Sequence, residues 1–468
     1  MKIRLFNLIL LAVLNFLIAQ SNTINIPADF SSIQQGINHA FNGDTVLVAP
    51  GNYYENINFK GKNIMLTSYL ILSQDTSFIK STIINGSQSK NTDTASCVLF
   101  INNESNDAII QGFTITGGKG TKWKDEHSSG TYREGGGILA ALSSPTIISN
   151  IIINNEAINT SGVTSAGGGG IRAGDGDPVI VGNVIMNNQG RYGAGIVLNW
   201  TGAYVANNII TGNSGGQDYG GGALWMNHDG PASKIIENNT IANNKTIAVY
   251  TYQGTSIIRN CIIWADENIS AIQISFRVDV PIVSYSDVYG GYSGEGNIFV
   301  NPKFMTISYF LSDSSPCIDK GNGSAIYNDP VDIQNIGNAR FPSKGTVLND
   351  MGAYGGPNSR LISAFATPSI AKVPTAIFQK TIDNTLKFDC APNPATDKTT
   401  LKYSLSEKQN IKLSIVDLSG KEIYKLLDKQ QNAGMYSFDF PTRIMERGIY
   451  IIKIAAGSEN RIQKLVLK

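Results

Sequence analysis

An internal repeat in the middle of the chain constrains its fold more than any other sequence feature. Each repeat holds one strand after a glycine cluster and a second strand after an asparagine, and the asparagines recur at steps of 21 to 33 residues. The first strands begin at Gly137-Ile138, Gly170-Ile171, Gly195-Ile196 and Gly222-Ala223, and the second strands follow Asn150, Asn183, Asn208, Asn239 and Asn260. Constant strand pairs at a variable spacing predict stacked coils joined by loops of different length.

Stacking also explains why the repeat is rich in glycine and asparagine. One coil cannot bury its apolar stripe alone, whereas stacked coils share a continuous core. Both residue types tolerate the positive φ angles of tight turns, and the chain contains 48 glycines. Asparagines at equivalent turns of successive coils lie about 4.8 Å apart, so their amides can form a hydrogen-bonded ladder. We therefore interpret the repeated Asn and Gly residues as structural.

The repeat resembles the right-handed parallel β-helix of the pectin-lyase-like superfamily over residues 26–289. Before it, Ile33, Ile37, Ala40 and Phe41 share one face of a short helix, which Ser31 or Ser32 can cap. The predicted fold is all-β. It comprises a right-handed parallel β-helix with an N-terminal capping helix, followed by a small C-terminal β-sandwich.

The N-terminus has the pattern of a signal peptide over residues 1–19. Lys2 and Arg4 precede a mostly apolar run, and Ala19 ends a plausible cleavage site. The apolar run is shorter than the roughly 20 residues that a membrane span needs. We find no other candidate span, so the sequence predicts no transmembrane segment in the mature chain.

A different motif follows the repeats, beginning at Ser315-Pro316-Cys317-Ile318-Asp319 and ending at Asp350-Met351-Gly352-Ala353-Tyr354-Gly355. It resembles a module at the C-terminal end of bacterial surface β-helices that carry interchangeable anchoring tails. We predict a structural cap over about 315–356, within a β-helix domain of residues 20–360. Residues 361–385 contain Pro368 and Pro374 and are typical of a linker.

The last segment, residues 386–468, alternates short strands with turn signals, a pattern typical of a β-sandwich. Its motifs are Ala391-Pro392-Asn393-Pro394, Leu401-Lys402-Tyr403-Ser404-Leu405, Val416-Asp417-Leu418-Ser419-Gly420-Lys421, Gly434-Met435-Tyr436, Gly448-Ile449-Tyr450 and Lys464-Leu465-Val466-Leu467-Lys468. In this order they resemble the type A sorting domain of the type IX secretion system. The resemblance implies a secreted or cell-surface protein of the Bacteroidetes group, with the type IX secretion machinery as a partner of 386–468.

Charge and cysteine content exclude some other functions. The net charge is +1, and no stripe of Lys and Arg interleaves with aromatic residues, so nucleic-acid binding is not expected. The four cysteines lie far apart in the sequence without metal-type spacing, and we expect buried free thiols.

Strand alternation predicts where chemistry can lie on the β-helix. If Ile138, Ile171, Ile196 and Ala223 point inward, then Leu139, Arg172, Val197 and Leu224 point outward, and Trp225 lies in an inward column. Polar and aromatic residues follow these strands in adjacent turns, and a long loop lies beside them. They are Asp175, Asp177, Asn199, Trp200, Asn227, His228, Asp229, Tyr252 and Gln253 in the turns, and Lys122, Trp123, Lys124, Asp125, Glu126, His127, Tyr132 and Arg133 in loop 119–134.

One hypothesis for this face is an enzyme, because related β-helices cleave polysaccharides. A lyase would use Arg172, Arg133, Lys122 or Lys124 as the base, with Asp175 and Asp177 as Ca²⁺ ligands. A glycoside hydrolase would use Asp177 and Asp229, about two coils or 9–10 Å apart, at the edge of the inverting range. The motifs of pectin methylesterases and polygalacturonases are absent from the sequence.

The other hypothesis is a protein that binds polysaccharide without cleaving it. Trp200, Tyr250 and Tyr252 could stack on sugar rings, with His228 and Arg133 as further substrate-binding residues. A non-catalytic surface adhesin or structural β-helix with a protein partner is the remaining alternative. The sequence leaves these functions open.

Overall fold

The computed structural model of the chain describes residues 21–216, 218–230, 232–267, 269–275, 280–305, 308–362, 387–405, 408–417, 421–432, 434–456 and 459–467. The chain divides into two compact units, Met1–Ile370 and Ala371–Lys468. The predicted signal peptide and, except for Leu361 and Ile362, the predicted linker lie outside the described residues.

Parallel strands of the first unit form long sheets, which we call sheets 1, 2 and 3. Sheet 1 comprises Thr23–Ile26, Thr45–Val48, Met65–Ser68, Ile109–Gln111, Thr146–Ile148, Val179–Val181, Tyr204–Ala206, Lys234–Glu237, Ser256–Arg259 and Ile282–Ser284. Sheet 2 comprises Gly51–Tyr53, Thr82–Asn85, Thr114–Thr116, Ile151–Ile153, Val184–Met186, Ile209–Thr211, Thr240–Ala242, Ile262–Trp264 and Asp287–Val288. Sheet 3 comprises Ile57–Asn58, Val98–Phe100, Ile138–Ala141, Ile171–Gly174, Ile196–Asn199, Leu224–Asn227, Val249–Thr251 and Ile272–Ile274. Successive coils pair in parallel within each sheet, which confirms the predicted parallel β-helix.

Further strands and α-helices lie in the segments that connect the strands of sheets 1, 2 and 3. An antiparallel hairpin, Gly120–Lys124 and Thr131–Glu134, pairs at its outer edges with Thr94–Ala95 and Ala166–Gly167. A further small sheet comprises Glu156–Ala157, Gln189–Gly190 and Ser214–Gly215. The described α-helices are Ile33–His39, Leu70–Ser73 and Ser77–Ser81, and the short 3₁₀ turns are Gly86–Gln88, Ala325–Tyr327 and Ser359–Leu361.

The core of the first unit is a continuous apolar column inside the coils. In a single coil, Ile171, Ile180 and Ile185 project inward from sheets 3, 1 and 2, and each is 0% exposed. Because side chains alternate along a strand, each three- or four-residue strand contributes one or two residues to this core. Stacking then makes the column continuous from coil to coil.

Buried asparagines form ladders at the turns, as predicted. In one ladder the amide Nδ2 of Asn150 donates to Oδ1 of Asn183 at 3.1 Å, and Asn183 bonds Asn208 in the same way at 3.0 Å. Asn239 follows Asn208, but the next position is filled by Cys261 rather than Asn260. The assignment of Asn260 to the asparagine repeat is therefore wrong by one residue. A second ladder runs through Asn155, Asn188, Asn213 and Asn244.

The N-terminal helix Ile33–His39 begins as predicted, because the hydroxyl of Ser32 accepts a hydrogen bond from the backbone of Gln35 at 3.2 Å. Ile33 and Ile37 are 0% exposed and belong to the β-helix core. The capping role of this helix stays a prediction.

Residues 308–362 form a segment that we call the strap. Its backbone bonds several coils along one row of turns: Gly352 bonds Asn260, Asp350 bonds Asn238 and Leu361 bonds Ser149. The strap thus runs back along the side of the β-helix. It also covers the outer face of sheet 2, where strap residues pack on outward side chains of that sheet. This cluster includes Tyr309, Ala353, Tyr354, Ile362, Ile151, Val184 and Ile209.

The second unit consists of antiparallel strands. One sheet contains Lys387–Ala391, Lys398–Leu405 and Gly434–Pro441, and the other contains Glu422–Gln431, Gln409–Val416, Gly448–Ala456 and Glu459–Leu467. A 3₁₀ turn lies at Thr442–Ile444. Leu401, Ile415, Ile452 and Leu465 are 0% exposed in the core of the unit, which has the predicted β-sandwich class.

Candidate functional site

The outer face of sheet 3 carries a column of side chains from successive coils. Leu139, Arg172 and Val197 are in register and point away from the core, as predicted. The next coil departs from prediction, because Leu224 rather than Ala223 pairs with Ile196 and points inward. Trp225 therefore belongs to the outward column, so its predicted inward position is wrong. A shift of one residue moves every side chain of a strand to the opposite face.

The hairpin Gly120–Lys124 and Thr131–Glu134 lies over this face. Alternation along its second strand separates two adjacent charged residues. Arg133 turns toward the outer loops, where its Nη1 donates to the backbone carbonyls of Thr92 and Gly120, each at 2.8 Å. Glu134 turns toward sheet 3 and is 5% exposed. The structure thus places Arg133, a predicted substrate-binding residue, in a loop-holding role away from Arg172.

Arg172 is the centre of a charged cluster and is 0% exposed. Its Nε lies 2.9 Å from Oε2 of Glu134, and its Nη2 lies 3.2 Å from Oε2 of Glu126 and 4.0 Å from Oδ2 of Asp175. Nη1 has no hydrogen-bond acceptor among the described residues, and the contact of Nε with Glu134 is an ion pair without hydrogen-bond alignment. One guanidinium is thus surrounded by three carboxylates.

The excess of carboxylates alters their ionisation. Burial and the charge of Glu126 raise the pKa of Asp175 to about 6, against the opposing attraction of Arg172. Burial also raises the pKa of Glu134, although Arg172 and a 2.7 Å hydrogen bond from the hydroxyl of Tyr192 favour its charged form. The pKa of Arg172 is raised, since its carboxylate partners outweigh its desolvation by burial. A guanidinium held this firmly protonated can bind anions but is a poor proton acceptor.

Aromatic rings stack beside the charged cluster. Trp200 lies between the imidazoles of His127 and His228, with ring centroids 4.0 Å apart on both sides and interplanar angles of 16° and 20°. Trp200 and His228 occupy equivalent turn positions of neighbouring coils and both have positive φ. His127 comes from the hairpin tip, and its Nε2 also lies 3.6 Å from Oδ1 of Asp175. Both faces of Trp200 are therefore covered.

A second aromatic group continues this surface over the following coils. Tyr192 links the two groups, because its hydroxyl bonds Glu134 while its ring lies 5.1 Å from that of Trp225. The ring centroid of Trp225 in turn lies 5.7 Å from that of Tyr252, which is half-buried. Tyr250 is 7% exposed and packs in the same group. Of the two predicted sugar-stacking tyrosines, Tyr252 is thus the more accessible.

The carboxylates of Asp177 and Asp229 have structural partners outside the charged cluster. Oδ1 of Asp177 accepts from the backbone of Gly202 in the next coil at 2.7 Å. Asp229 accepts from the backbone of Thr255 at 2.7 Å and from the ammonium of Lys234 at 2.8 Å. Burial opposes ionisation of Asp229, but the bonds from Lys234 and Thr255 keep its pKa below the usual value. Each carboxylate fastens one coil to the next.

The proposed Ca²⁺ ligands do not converge. Asp175 faces Arg172 and His127, whereas Asp177 faces Gly202. In the described part of the chain, no group of three or more His, Cys, Asp or Glu side chains is arranged to hold a metal ion.

An open apolar cavity of about 680 Å³ lies elsewhere, at the last coil, and is lined by Val280, Ile282 and Tyr292 among others. It is four coils beyond Arg172 in sheet 3 and contains no part of the charged cluster. We therefore place the candidate site on the outer face of sheet 3, where charged and aromatic side chains meet.

The sequence did not identify two members of this site. Glu134 follows Arg133, and only the pairing register of the hairpin shows which of the two faces Arg172. Tyr192 belongs to a loop just before the strand Ile196–Asn199, and no periodic pattern marks it. Alternation applied to the paired strand 131–134 was the one signal that could have found Glu134.

Comparisons with known proteins match the C-terminal part of the chain most specifically. Residues 390–468 match a family model described as the secretion system C-terminal sorting domain. A crystal structure of a pectin methylesterase variant in complex with a hexasaccharide is similar at 11% identity, with a TM-score of 0.35, over 64% of this chain and 98% of that one. No curated protein sequence matches the chain.

These findings define the export of the protein. Within the described ranges, no helix has the length and apolar character needed to cross a bilayer. The sorting domain marks proteins that leave the cell by type IX secretion. The chain is a right-handed parallel β-helix protein that carries a C-terminal type IX sorting domain and is secreted or displayed at the cell surface.

Proposed function

We propose that this secreted or cell-surface protein binds polysaccharide on the outer face of sheet 3. The observation that carries the proposal is the meeting of a buried arginine with a row of stacked and clustered aromatic rings on one face. Sugar units offer apolar faces that pack on aromatic rings, and hydroxyl or carboxylate groups that accept hydrogen bonds. A stacked-coil surface repeats such positions about every 4.8 Å, which suits an extended polymer.

The arrangement supports binding more than cleavage. Arg172 is surrounded by carboxylates and stays protonated, which is unfavourable for the base of a lyase. Asp177 and Asp229 are engaged with the next coil, which is unfavourable for a pair of hydrolytic carboxyls. Asn199 and Asn227, whose side chains bond each other at 2.9 Å beside Trp200, add polar groups that suit sugar hydroxyls.

A second candidate function is an adhesin that binds a protein partner. The strap exposes large apolar side chains, with Ile333 78% and Ile336 91% exposed. Exposed apolar residues of this size are typical of contact surfaces between proteins.

The proposal includes the organisation of the chain. Residues 1–19 act as a signal peptide, and residues 361–385 link the β-helix to the sorting domain, in a bacterium of the Bacteroidetes group. These assignments rest on the sequence alone.

The test is a panel of acidic and neutral polysaccharides incubated with the purified protein. Binding is followed by calorimetry, and cleavage by new reducing ends and by absorbance of unsaturated uronates, with and without Ca²⁺. We expect binding of at least one polysaccharide without product. His228→Ala should weaken it, because His228 supports the indole of Trp200 from the face opposite the one that His127 covers. The matched control His39→Ala removes a histidine stacked on Phe30 near the N-terminus and should leave binding unchanged. Binding to no member of the panel would contradict the proposal.

A further inference from the structure

The tip of the hairpin over sheet 3 makes two contacts that a ligand of this site would make. The tip residues Glu126 and His127 connect the strands Gly120–Lys124 and Thr131–Glu134. The carboxylate of Glu126 pairs with Nη2 of Arg172 at 3.2 Å. The imidazole of His127 stacks on Trp200 at 4.0 Å.

A negatively charged sugar would use the same two positions. A carboxylate is a natural partner of a buried guanidinium, and a pyranose ring packs on the face of an indole. The other face of Trp200 is covered by His228 from the next coil. In this conformation the hairpin tip therefore blocks both the charged and the aromatic half of the site.

Electrostatic repulsion prevents the carboxylate of Glu126 and that of an acidic sugar from occupying the site at the same time. Glu126, Glu134 and Asp175 already surround Arg172, and Glu126 raises the pKa of the other two carboxyls. A fourth carboxylate would add repulsion in a poorly solvated site. If the incoming carboxylate replaces that of Glu126, the charge around Arg172 stays the same. Binding of an acidic sugar thus requires the tip to leave.

The tip can move without loss of the hairpin. Its strands are held by pairing with Thr94–Ala95 on one side and Ala166–Gly167 on the other. The side chain of His127 is 35% exposed, and that of Glu126 is 13% exposed. The tip also contacts Asp175, since Nε2 of His127 lies 3.6 Å from Oδ1 of that residue. The other contacts lie within the hairpin: Oε1 of Glu126 accepts from Nε1 of Trp123 at 2.5 Å, and Asp125 accepts from the backbones of His127 and Ser129.

We propose that Glu126 and His127 form an autoinhibitory contact that occupies the binding site until an acidic sugar displaces it. This inference rests on the proposed function of the sheet 3 face. It assigns the ligand a carboxylate for Arg172 and a ring for Trp200.

The experiment compares the affinity of the full chain for trigalacturonic acid with that of the double variant Glu126→Gln, His127→Ala. We expect the variant to bind at least about tenfold more tightly, which corresponds to about 1.4 kcal/mol. For the methyl ester of the same trisaccharide, the double variant should increase the affinity much less, because the ester has no negative charge to pair with Arg172. Ser129→Ala is the matched control, since it changes the same exposed tip without a side-chain contact to Arg172 or Trp200.

Hydrogen exchange of the wild-type tip gives an independent readout. Displacement predicts that the acidic trisaccharide accelerates exchange over residues 124–131, whereas a tip that closes over ligand would be protected. Equal affinities of wild type and double variant, or protection of the tip, would overturn autoinhibition while leaving polysaccharide binding intact. Absence of binding by wild type and variant alike, to this probe and to the whole panel, would instead overturn the proposed function and the inference with it.

Discussion

Replacement of Asn188 by alanine tests whether the asparagine ladder holds the coils together. Asn188 is 0% exposed and lies in the middle of the second ladder. Its Nδ2 donates to the carbonyl of Ile152 at 2.9 Å and to Oδ1 of Asn213 at 3.1 Å. Its Oδ1 accepts from the backbone and the side chain of Asn155, at 3.0 and 3.1 Å.

The expected loss in the free energy of unfolding follows from the hydrogen-bonding groups that the substitution leaves without a partner. Alanine removes the acceptor of the Asn155 backbone and one donor each to Ile152 and Asn213. Asn155 keeps other bonds through its Nδ2, and Asn213 keeps the backbone donor of residue 188. Each unsatisfied buried group costs about 1–3 kcal/mol, and the remaining bonds reduce the total. We expect a loss of about 2–4 kcal/mol in the free energy of unfolding.

Denaturant unfolding followed by circular dichroism and tryptophan fluorescence measures this loss as a shift in midpoint. The matched control is Asn187→Gly, which changes the neighbouring exposed asparagine at a φ of 54° that glycine accepts readily. It should change the free energy of unfolding by less than about 0.5 kcal/mol. A loss below about 0.5 kcal/mol for Asn188→Ala would refute the view that the ladder stabilises the stack.

Three further predictions concern ionisable groups. Because the pKa of Asp175 is raised to about 6 in the fold, its protonated form stabilises the protein below about pH 4. That contribution disappears as the pH rises through 6, so Asp175→Asn should flatten the unfolding free energy measured between pH 4 and 7. Burial raises the pKa of Cys97 and Cys261 to about 12, so a thiol reagent at pH 8 should label them only after denaturation; rapid labelling of the native protein would contradict their burial. Lys234→Met leaves the carboxylate of Asp229, which is 24% exposed, without its cation. We expect the free energy of unfolding, measured by calorimetric melting, to fall by about 2–3 kcal/mol. An unchanged melting temperature would contradict a stabilising role of the ion pair.

The fold was predictable because its signals are local and repeated. Strand alternation and asparagine spacing identified the coils, and the inward and outward sides of the strands at Ile138, Ile171 and Ile196 were predicted correctly. The errors arose where the repeat is imperfect. Ala223 was predicted to point inward opposite Ile196, but Leu224 occupies that position. Asn260 was predicted to continue the asparagine ladder, but Cys261 occupies the next position of the ladder.

The candidate site was predictable only in part, because it depends on contacts between distant segments. Arg172, Trp200 and His228 follow from the periodicity of sheet 3. The sequence also placed Glu126 and His127 in a loop beside this face, but no local pattern encodes their contacts with Arg172 and Trp200. The position of the strap along the side of the coils could not be predicted either, because its apolar residues pack on a surface of sheet 2 that exists only after the strands stack.

The most direct test of the account is a crystal structure of the protein with a bound acidic oligosaccharide from the binding panel. We predict sugar units along the outer face of sheet 3, with one ring on Trp200, its carboxylate at Arg172 and the hairpin tip displaced. Sugar bound at the strap or at the cavity of the last coil, with sheet 3 unoccupied, would contradict the account.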